Sequence, residues 1–292
     1  MPTRPPSPLR RPLAPGLHLV STPIGAANDI TLRALDVLDQ ADVLAAEDTR
    51  TLRKLMDLHG VALNGRRIIA YHDHNGASAR LGLLAALGEG KTVAYASEAG
   101  TPMVADPGLK LARSAIGVGV TVHAAPGASA LLVALAVAGL PTDRFFFAGF
   151  APPKDGPRAR FLDAVVAVDA TLVLYESPKR LVKLLAALER ATQGDRECVV
   201  CRELTKRFEE TRRGTLAKLR QFYAENEEIK GEIVVLLGPP VQTAPSATEV
   251  DEMLVRYLLN KSVKDTSIEV ARVTGLPRRA LYARAQELKD KT

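Results

Sequence analysis

The apolar positions of this chain come in short runs, each followed by a polar or glycine-rich break and then by a stretch with helical spacing. GLHLV at 16–20, VLAA at 43–46, the runs at 67–71 and 120–124, and VAYA at 93–96 have the length and residue types of strands. Behind Thr31, a residue type that caps helices, Leu32, Leu35 and Leu38 recur at helical intervals, and 77–87, 109–117 and 131–138 read as further helices. Strands alternating with helices predict an α/β unit with a mainly parallel sheet. The breaks are the informative part. STPIG, EDTR, HDHN, SEAGTP and PGAS each follow a strand and precede a helix. In open parallel sheets, ligands bind beyond the carboxyl ends of the strands. Gly100 in SEAGTP is then expected where a side chain would block the approach of backbone to a ligand.

FFFAGFAPPK at 145–154 reads as a domain joint. Beyond it come a helix at 158–167, a strand at 171–175, a helix at 179–190, a strand at 197–202, a helix at 216–224 and a strand at 232–237. A polar, proline-containing linker follows at 241–247, and the rest is helical. The expected organisation is a basic tail at 1–15, α/β domains at 16–143 and 144–240, and a helical module at 248–292. Within the module, 268–282 reads as helix, glycine turn, helix. Ala271 and Gly275, four apart, suit a helix-turn-helix unit with Arg278, Arg279 and Arg284 on or near its second helix. A plain helical hairpin used for packing fits the same pattern.

Composition narrows the function. The net charge of +6 suits an acidic macromolecular partner such as nucleic acid, and 4% aromatics with no tryptophan argue against a large base-stacking platform. No apolar run approaches the roughly 18 residues that cross a bilayer. The first 16 residues are proline-dense and basic without an apolar core, so they read as a disordered tail rather than a secretory signal. Cys198 and Cys201 lie three apart on a strand and point to opposite faces, which argues against a redox or zinc pair. With no disulfide framework, a cytoplasmic location is expected. His72 and His74 share one face of a strand end but lack a third ligand of suitable spacing, so no metal is expected. Neither GxGxxG after the first strand nor GxxxxGK[ST] occurs, which leaves a ligand without phosphates.

In order along the chain stand TPIGAANDITLRALDVL, AAEDTR, YHDHN, SEAGTPMVADPG, PGASA, GLPTDRFFFAGFAPPK, LYESPKRL, CRELTKRFEE and KGEIVVLLG. Over 16–238 these blocks resemble the tetrapyrrole-methylase superfamily, and within it the branch of bacterial ribosomal RNA methyltransferases. TPIG with EDTR and HDHN separates that branch from the true tetrapyrrole enzymes, which carry a GxGDP-like loop where AGTP stands here. The resemblance implies S-adenosylmethionine bound in a cleft between two α/β domains. It also implies 2'-O-methylation of the ribose of cytidine 1402 in the 16S rRNA of the 30S subunit. Two α/β domains facing one cleft suit a homodimer.

Carried over residue by residue, the implied cofactor positions are Pro23, Ala99, Gly100, Thr101, Val104, Ser129 and Ala130, with Glu176 and Leu204 from the second domain. The branch usually has aspartate at Glu98, so the carboxylate here reaches one methylene further. A ribose hydroxyl is a weak nucleophile that profits from a general base. Glu98, His74, Glu176 and Lys206 are candidates, with Glu98 and Lys206 preferred. Asp48-Thr49-Arg50 is either a helix cap with a local ion pair or a contact to RNA. Lys206 and Arg207 are expected to face phosphate. Two other functions remain open: methylation of a tetrapyrrole precursor, and a non-catalytic ribosome-binding factor that keeps the fold. The AGTP loop and the basic C-terminal helices argue against the first, and intact loops at every strand end against the second.

Overall fold

The structure is a computed structural model and describes residues 11–72, 76–103, 108–192, 195–226, 228–240 and 246–290. Chain contacts separate a unit ending at Pro240 from one beginning at Val241.

The first unit holds two sheets. Strands β1 (Gly16–Val20), β2 (Val43–Ala46), β3 (Ile68–Ala70), β4 (Thr92–Ala96) and β5 (Val122–Ala125) make the first, in the order β3-β2-β4-β1-β5. Every neighbouring pair is parallel. Alternate residues feed opposite cores. Leu17 and Leu19 pack with Val93 and Tyr95 on one face, while Val20 packs with Ala94 and Ala96 on the other. Burial on both faces is why these strands read as continuous apolar runs.

Helices α1 (Leu32–Gln40), α2 (Thr49–Leu58), α3 (Gly76–Gly88) and α4 (Gly108–Gly117) connect them, and α5 (Ala130–Ala138) follows β5. Thr31 caps α1, its hydroxyl accepting from the Ala34 amide at 3.1 Å. Asp48 caps α2, accepting from the amides of Arg50 at 2.7 Å and Thr51 at 3.1 Å. Those two bonds hold its carboxyl below the usual range. The cap reading of Asp48 therefore applies, while the Arg50 side chain stays exposed.

The second sheet is mixed: β6 (Phe145–Phe150), β7 (Thr171–Glu176), β8 (Glu197–Arg202), β9 (Glu210–Thr215) and β10 (Ile233–Leu237), in the order β6-β7-β10-β8-β9. Only β6 and β7 run parallel. Helices α6 (Asp155–Val165), α7 (Leu181–Thr192) and α8 (Leu216–Glu225) accompany it. The aromatic stretch read as a joint is thus an edge strand, with a register shift between Phe147 and Gly149 where Gly149 takes φ +68°. The polar strand β9 was not expected. It forms the opposite edge, antiparallel to β8, where Glu210 pairs with Arg202 at 3.1 Å and Arg212 at 2.5 Å.

Cys198 packs with Val200, Val235 and Leu237, and Cys201 with Val199, Val234 and Leu236, so the two thiols do face opposite sides of this sheet. Burial pushes Cys198 up to about 12 and Cys201 to about 11. A disulfide-exchange reagent at pH 8 should therefore label neither thiol in the native protein and both after denaturation. Rapid native labelling would contradict this placement.

The second unit contains α9 (Ala247–Leu258), α10 (Val263–Thr274) and α11 (Arg278–Lys289) around Val250, Leu254, Val270, Leu281 and Ala285. Ser246 and Glu249 form a reciprocal capping box at the start of α9. Gly275, at φ +70°, ends α10, giving the helix, glycine turn and helix read from the sequence. Arg284 does not present a free guanidinium. Its nitrogens bind Asp251 on α9 at 2.8 and 2.5 Å and Glu287 at 2.7 Å. Among the described residues, no helix is long and apolar enough to cross a membrane.

Candidate functional site

The loops after β1, β4 and β5 are stitched together at the carboxyl edge of the first sheet. Thr22 and Gly100 exchange backbone hydrogen bonds of 3.0 and 3.1 Å. The Thr22 hydroxyl donates to the Ser97 carbonyl at 3.2 Å, and the Ser97 hydroxyl to the Gly100 carbonyl at 2.6 Å. Thr101 Oγ1 donates to the Ala128 carbonyl at 3.0 Å and accepts from Ser21 Oγ at 3.3 Å.

Gly100 lines the cavity described below, and its backbone adds a reason for glycine that the sequence did not show. Its φ is +81°, a conformation that side chains rarely adopt, and a Cβ there would meet Ile24 Cγ2 at 3.3 Å and the Ala128 carbonyl at 3.6 Å. The loop's own geometry and its neighbours therefore constrain this position in addition to any ligand.

The second sheet supplies the facing wall through Phe150, Tyr175, Glu176, Leu204 and the segment from Gly231 to Val234. Together with the first-sheet loops these line a cavity of about 490 Å³, a usual size for a small-molecule site. The Tyr175 hydroxyl accepts from the Leu131 amide at 3.1 Å, satisfying a donor at the start of α5 that Ser129 leaves uncapped and tying the two halves together. Burial raises the Tyr175 pKa.

Glu176 is the most constrained acid. Its side chain is 1% exposed, and Oε1 accepts from the Ser177 amide at 2.7 Å and from Arg180 at 2.6 and 2.5 Å. Oε2 is buried with no hydrogen-bond partner. A native protein rarely leaves such an atom unmatched, and Glu176 is one of the residues that line the cavity.

Leu204 is delivered by a strained loop. Glu203 and Thr205 on either side of it have φ +51° and +63°. Contacts on both flanks hold that conformation. Thr205 Oγ1 accepts from the Ala26 amide at 3.1 Å, and Lys206 Nζ donates to Glu203 at 2.8 Å and Glu232 at 3.1 Å. Gly25 and Gly231 give the loop room, since a Cβ at either would come within 2.5 Å of it. Partial burial pulls the Lys206 pKa down, but its bonds to Glu203 and Glu232 outweigh this and the net shift is upward. Its two bonds to carboxylates favour the ammonium form of Lys206, so the geometry suits a donor better than the proton acceptor expected from the sequence. The same bond to Lys206 holds Glu203 below the usual carboxylate range.

Of the residues singled out from sequence, Glu98, Ala99, Gly100, Thr101, Ser129, Ala130, Glu176 and Leu204 line this one cavity. Pro23 does not, though its neighbour Ile24 does, and Lys206 reaches it only through Glu232. Val104 and His74 lie outside the described residues. Sequence reasoning missed Glu47, Tyr175 and Glu232 as lining residues. Each sits inside a block already singled out, AAEDTR, LYESPKRL or KGEIVVLLG, so the signal was present without a geometry to sort it. Glu47 Oε2 accepts from the Glu98 amide at 3.2 Å, which brings two acids to the cavity mouth.

The pattern of the tetrapyrrole (corrin/porphyrin) methylases matches residues 16–220, and that of the RsmI C-terminal HTH domain matches 244–289. The chain belongs to the tetrapyrrole methylases. Within them it belongs to the family of its curated relatives, the proteins called ribosomal RNA small subunit methyltransferase I. The relative from Mesorhizobium japonicum is 48% identical, over 96% of this chain and 94% of its own. That from Erythrobacter litoralis is 45% identical, over 95% and 97%. Among solved structures, uroporphyrin-III C-methyltransferase from Thermus thermophilus complexed with S-adenyl homocysteine shares the fold. Its TM-score is 0.53 and its identity 23%, over 76% of this chain and 97% of that one.

Proposed function

We propose that the protein transfers a methyl group from S-adenosylmethionine to the ribose 2'-hydroxyl of cytidine 1402 in 16S rRNA, acting in the cytoplasm on the 30S subunit. The observation that carries the reading is the charge of the cavity. Glu47, Glu98, Glu176 and Glu232 line it, and among the described residues no lysine or arginine does, although Arg180 and Lys206 partly offset Glu176 and Glu232 from behind the wall. Phosphates would meet repulsion there, whereas a sulfonium beside an ammonium meets attraction. The unmatched Glu176 Oε2 suits such a cationic, hydrogen-bonding ligand. The relatives' name supplies the substrate class, the small-subunit rRNA.

When bound, S-adenosylmethionine supplies a methyl group activated on positively charged sulfur. The chain's own residues hold and orient. Ala99, Gly100 and Thr101 present backbone along one wall, and Ser129 and Ala130 close the turn beside them. Ile24 and Leu204 offer apolar surface, while Pro23 stiffens the loop that carries Ile24. Val104 keeps the place that the family resemblance gives it. Glu176 accepts a hydrogen bond at Oε2. Lys206 braces Glu203 and Glu232 and so positions Leu204. Glu98 has an exposed side chain that makes no hydrogen bond among the described residues, and it stands at the cavity edge to take the proton of the attacking hydroxyl.

Replacing that base, Glu98→Gln, should lower kcat about a hundredfold and leave the Kd for the cofactor within about twofold. An unchanged kcat would remove Glu98 from the chemistry. We also place a homodimer contact on the edge strand β6, where Phe145, Phe146 and Phe150 are exposed.

The reaction is tested by incubating the protein with 30S particles and methyl-labelled cofactor. Alkaline hydrolysis of RNA needs a free 2'-hydroxyl, so label should appear in an alkali-resistant dinucleotide that maps to cytidine 1402. Label in a base, or none, would overturn the reading.

A further inference from the structure

The helical unit carries a second cavity, of about 480 Å³, remote in sequence from every residue of the site above. Met253, Arg256, Tyr257, Asn260 and Lys261, from the second half of α9 and the turn after it, line it together with Val273 near the end of α10. Met253 and Tyr257 pack partly into the small core, which fixes the floor of the cavity. The remaining groups carry recognisable chemistry. Lys261 Nζ sits 5.3 Å from the centre of the Tyr257 ring and is tied to Glu269 at 3.3 Å. Arg256 is exposed and, among the described residues, has no ion-pair or hydrogen-bond partner. The Asn260 amide is exposed at the rim.

One ring, one uncommitted cation and one amide match one unpaired nucleotide. The ring offers a face to a base, the guanidinium meets a phosphate, and the amide reads a base edge. We infer that this cavity binds a single-stranded segment of RNA, one base deep. The inference takes the RNA's identity from the function proposed above. It differs from the groove-reading mode of a helix-turn-helix unit, in which the second helix carries the contacts. In this unit Arg284 of α11 is already committed to Asp251 and Glu287. Charge selects among occupants. The chain's own N-terminal segment, MPTRPPSPLRR, has the proline content that suits an aromatic groove, but it carries arginines and no acid, so Arg256 and Lys261 repel it. A single tyrosine also accords with a chain too poor in aromatic residues for an extended stacking surface.

The test uses the full chain with Tyr257→Ala and Arg256→Gln separately. The probe is a fluorescein-labelled single-stranded RNA of about 12 nucleotides, followed by anisotropy and then compared with naked 16S rRNA and 30S particles. Loss of one stacked base should weaken RNA binding about tenfold for Tyr257→Ala. Arg256→Gln should weaken it severalfold and reduce the slope of log K against log salt by about one. Cofactor affinity, read by calorimetry, should not move. Tyr257 is partly buried and its loss can loosen the unit, so the exposed Arg256→Gln is decisive where circular dichroism shows Tyr257→Ala misfolded.

Wild-type Kd and salt slope in Arg256→Gln would overturn the inference, as would a wild type that binds no RNA. Loss of binding to 30S particles with naked rRNA unaffected would point to a ribosomal protein and overturn it as well. Methyl transfer is read separately. A wild type that binds RNA through these residues without methylating it would support the cavity and count against the proposed reaction.

Discussion

Gly100→Val should leave the chain folded and abolish measurable cofactor binding. Gly100 holds φ +81° while both its amide and its carbonyl are engaged with Thr22. A β-branched residue resists that conformation at a cost of about 2 kcal/mol. Its side chain would also press on Ile24 Cγ2 and the Ala128 carbonyl, 3.3 and 3.6 Å from an ideal Cβ. The cheapest relief is for the loop to leave the sheet edge, which breaks the Thr22–Gly100 bridge and moves Ala99 and Thr101 with it. Both sheets keep their cores, so the melting temperature should drop by several degrees rather than collapse, given about 2–4 °C per kcal/mol for a unit of this size. Cofactor affinity, by calorimetry, should fall at least a hundredfold. Gly100→Ala shares the backbone penalty without γ carbons and should lie between. Wild-type affinity in Gly100→Val would mean that this loop does not hold the cofactor.

Glu176→Ala should cost both stability and cofactor binding. Oε1 satisfies the Ser177 amide and the Arg180 guanidinium, and removing it strands both in a site that water enters poorly. Breaking a buried pair in this way costs about 3 kcal/mol, reduced somewhat because Arg180 retains partial access to solvent. The same change deletes Oε2, the unmatched acceptor. Glu176→Gln separates the two effects. It keeps the volume and an acceptor for Arg180, so stability should recover most of its loss. It removes the negative charge, so cofactor binding should remain at least tenfold weaker than wild type. Full recovery of binding in the glutamine variant would show that charge at this position is irrelevant.

How much of this was legible in the sequence depends on how burial writes itself into residue types. The parallel sheet was readable because its strands are covered on both faces and its loops must present backbone at their ends. GLHLV, VLAA and VAYA mark the strands, and STPIG, SEAGTP and PGAS mark the edge. The edge strands of the second sheet were not. β9, ETRRGT, has no apolar residue because its side chains work as ion pairs at a solvent-facing margin. β6 hid behind the glycine of its register shift and the prolines after it. In the site, the motif blocks named most of the lining residues. What they could not show was the commitment of Lys206 to two carboxylates, since Glu203 and Glu232 meet it from different segments. Nor could they show that Gly100 serves a backbone angle, since that depends on a bridge to Thr22 across 78 positions of chain. Arg284 is a third case. Its place in the helical module was readable, but its commitment to Asp251, 33 residues away, was not.

The most direct measurement is a crystal structure of the protein soaked with S-adenosylmethionine. The account predicts the ligand in the cavity bounded by Gly100, Ser129 and Leu204, with one of its polar hydrogens on Glu176 Oε2 and no phosphate-binding group nearby. A ligand found elsewhere, or a cavity filled by the protein's own side chains while the ligand binds, would contradict it.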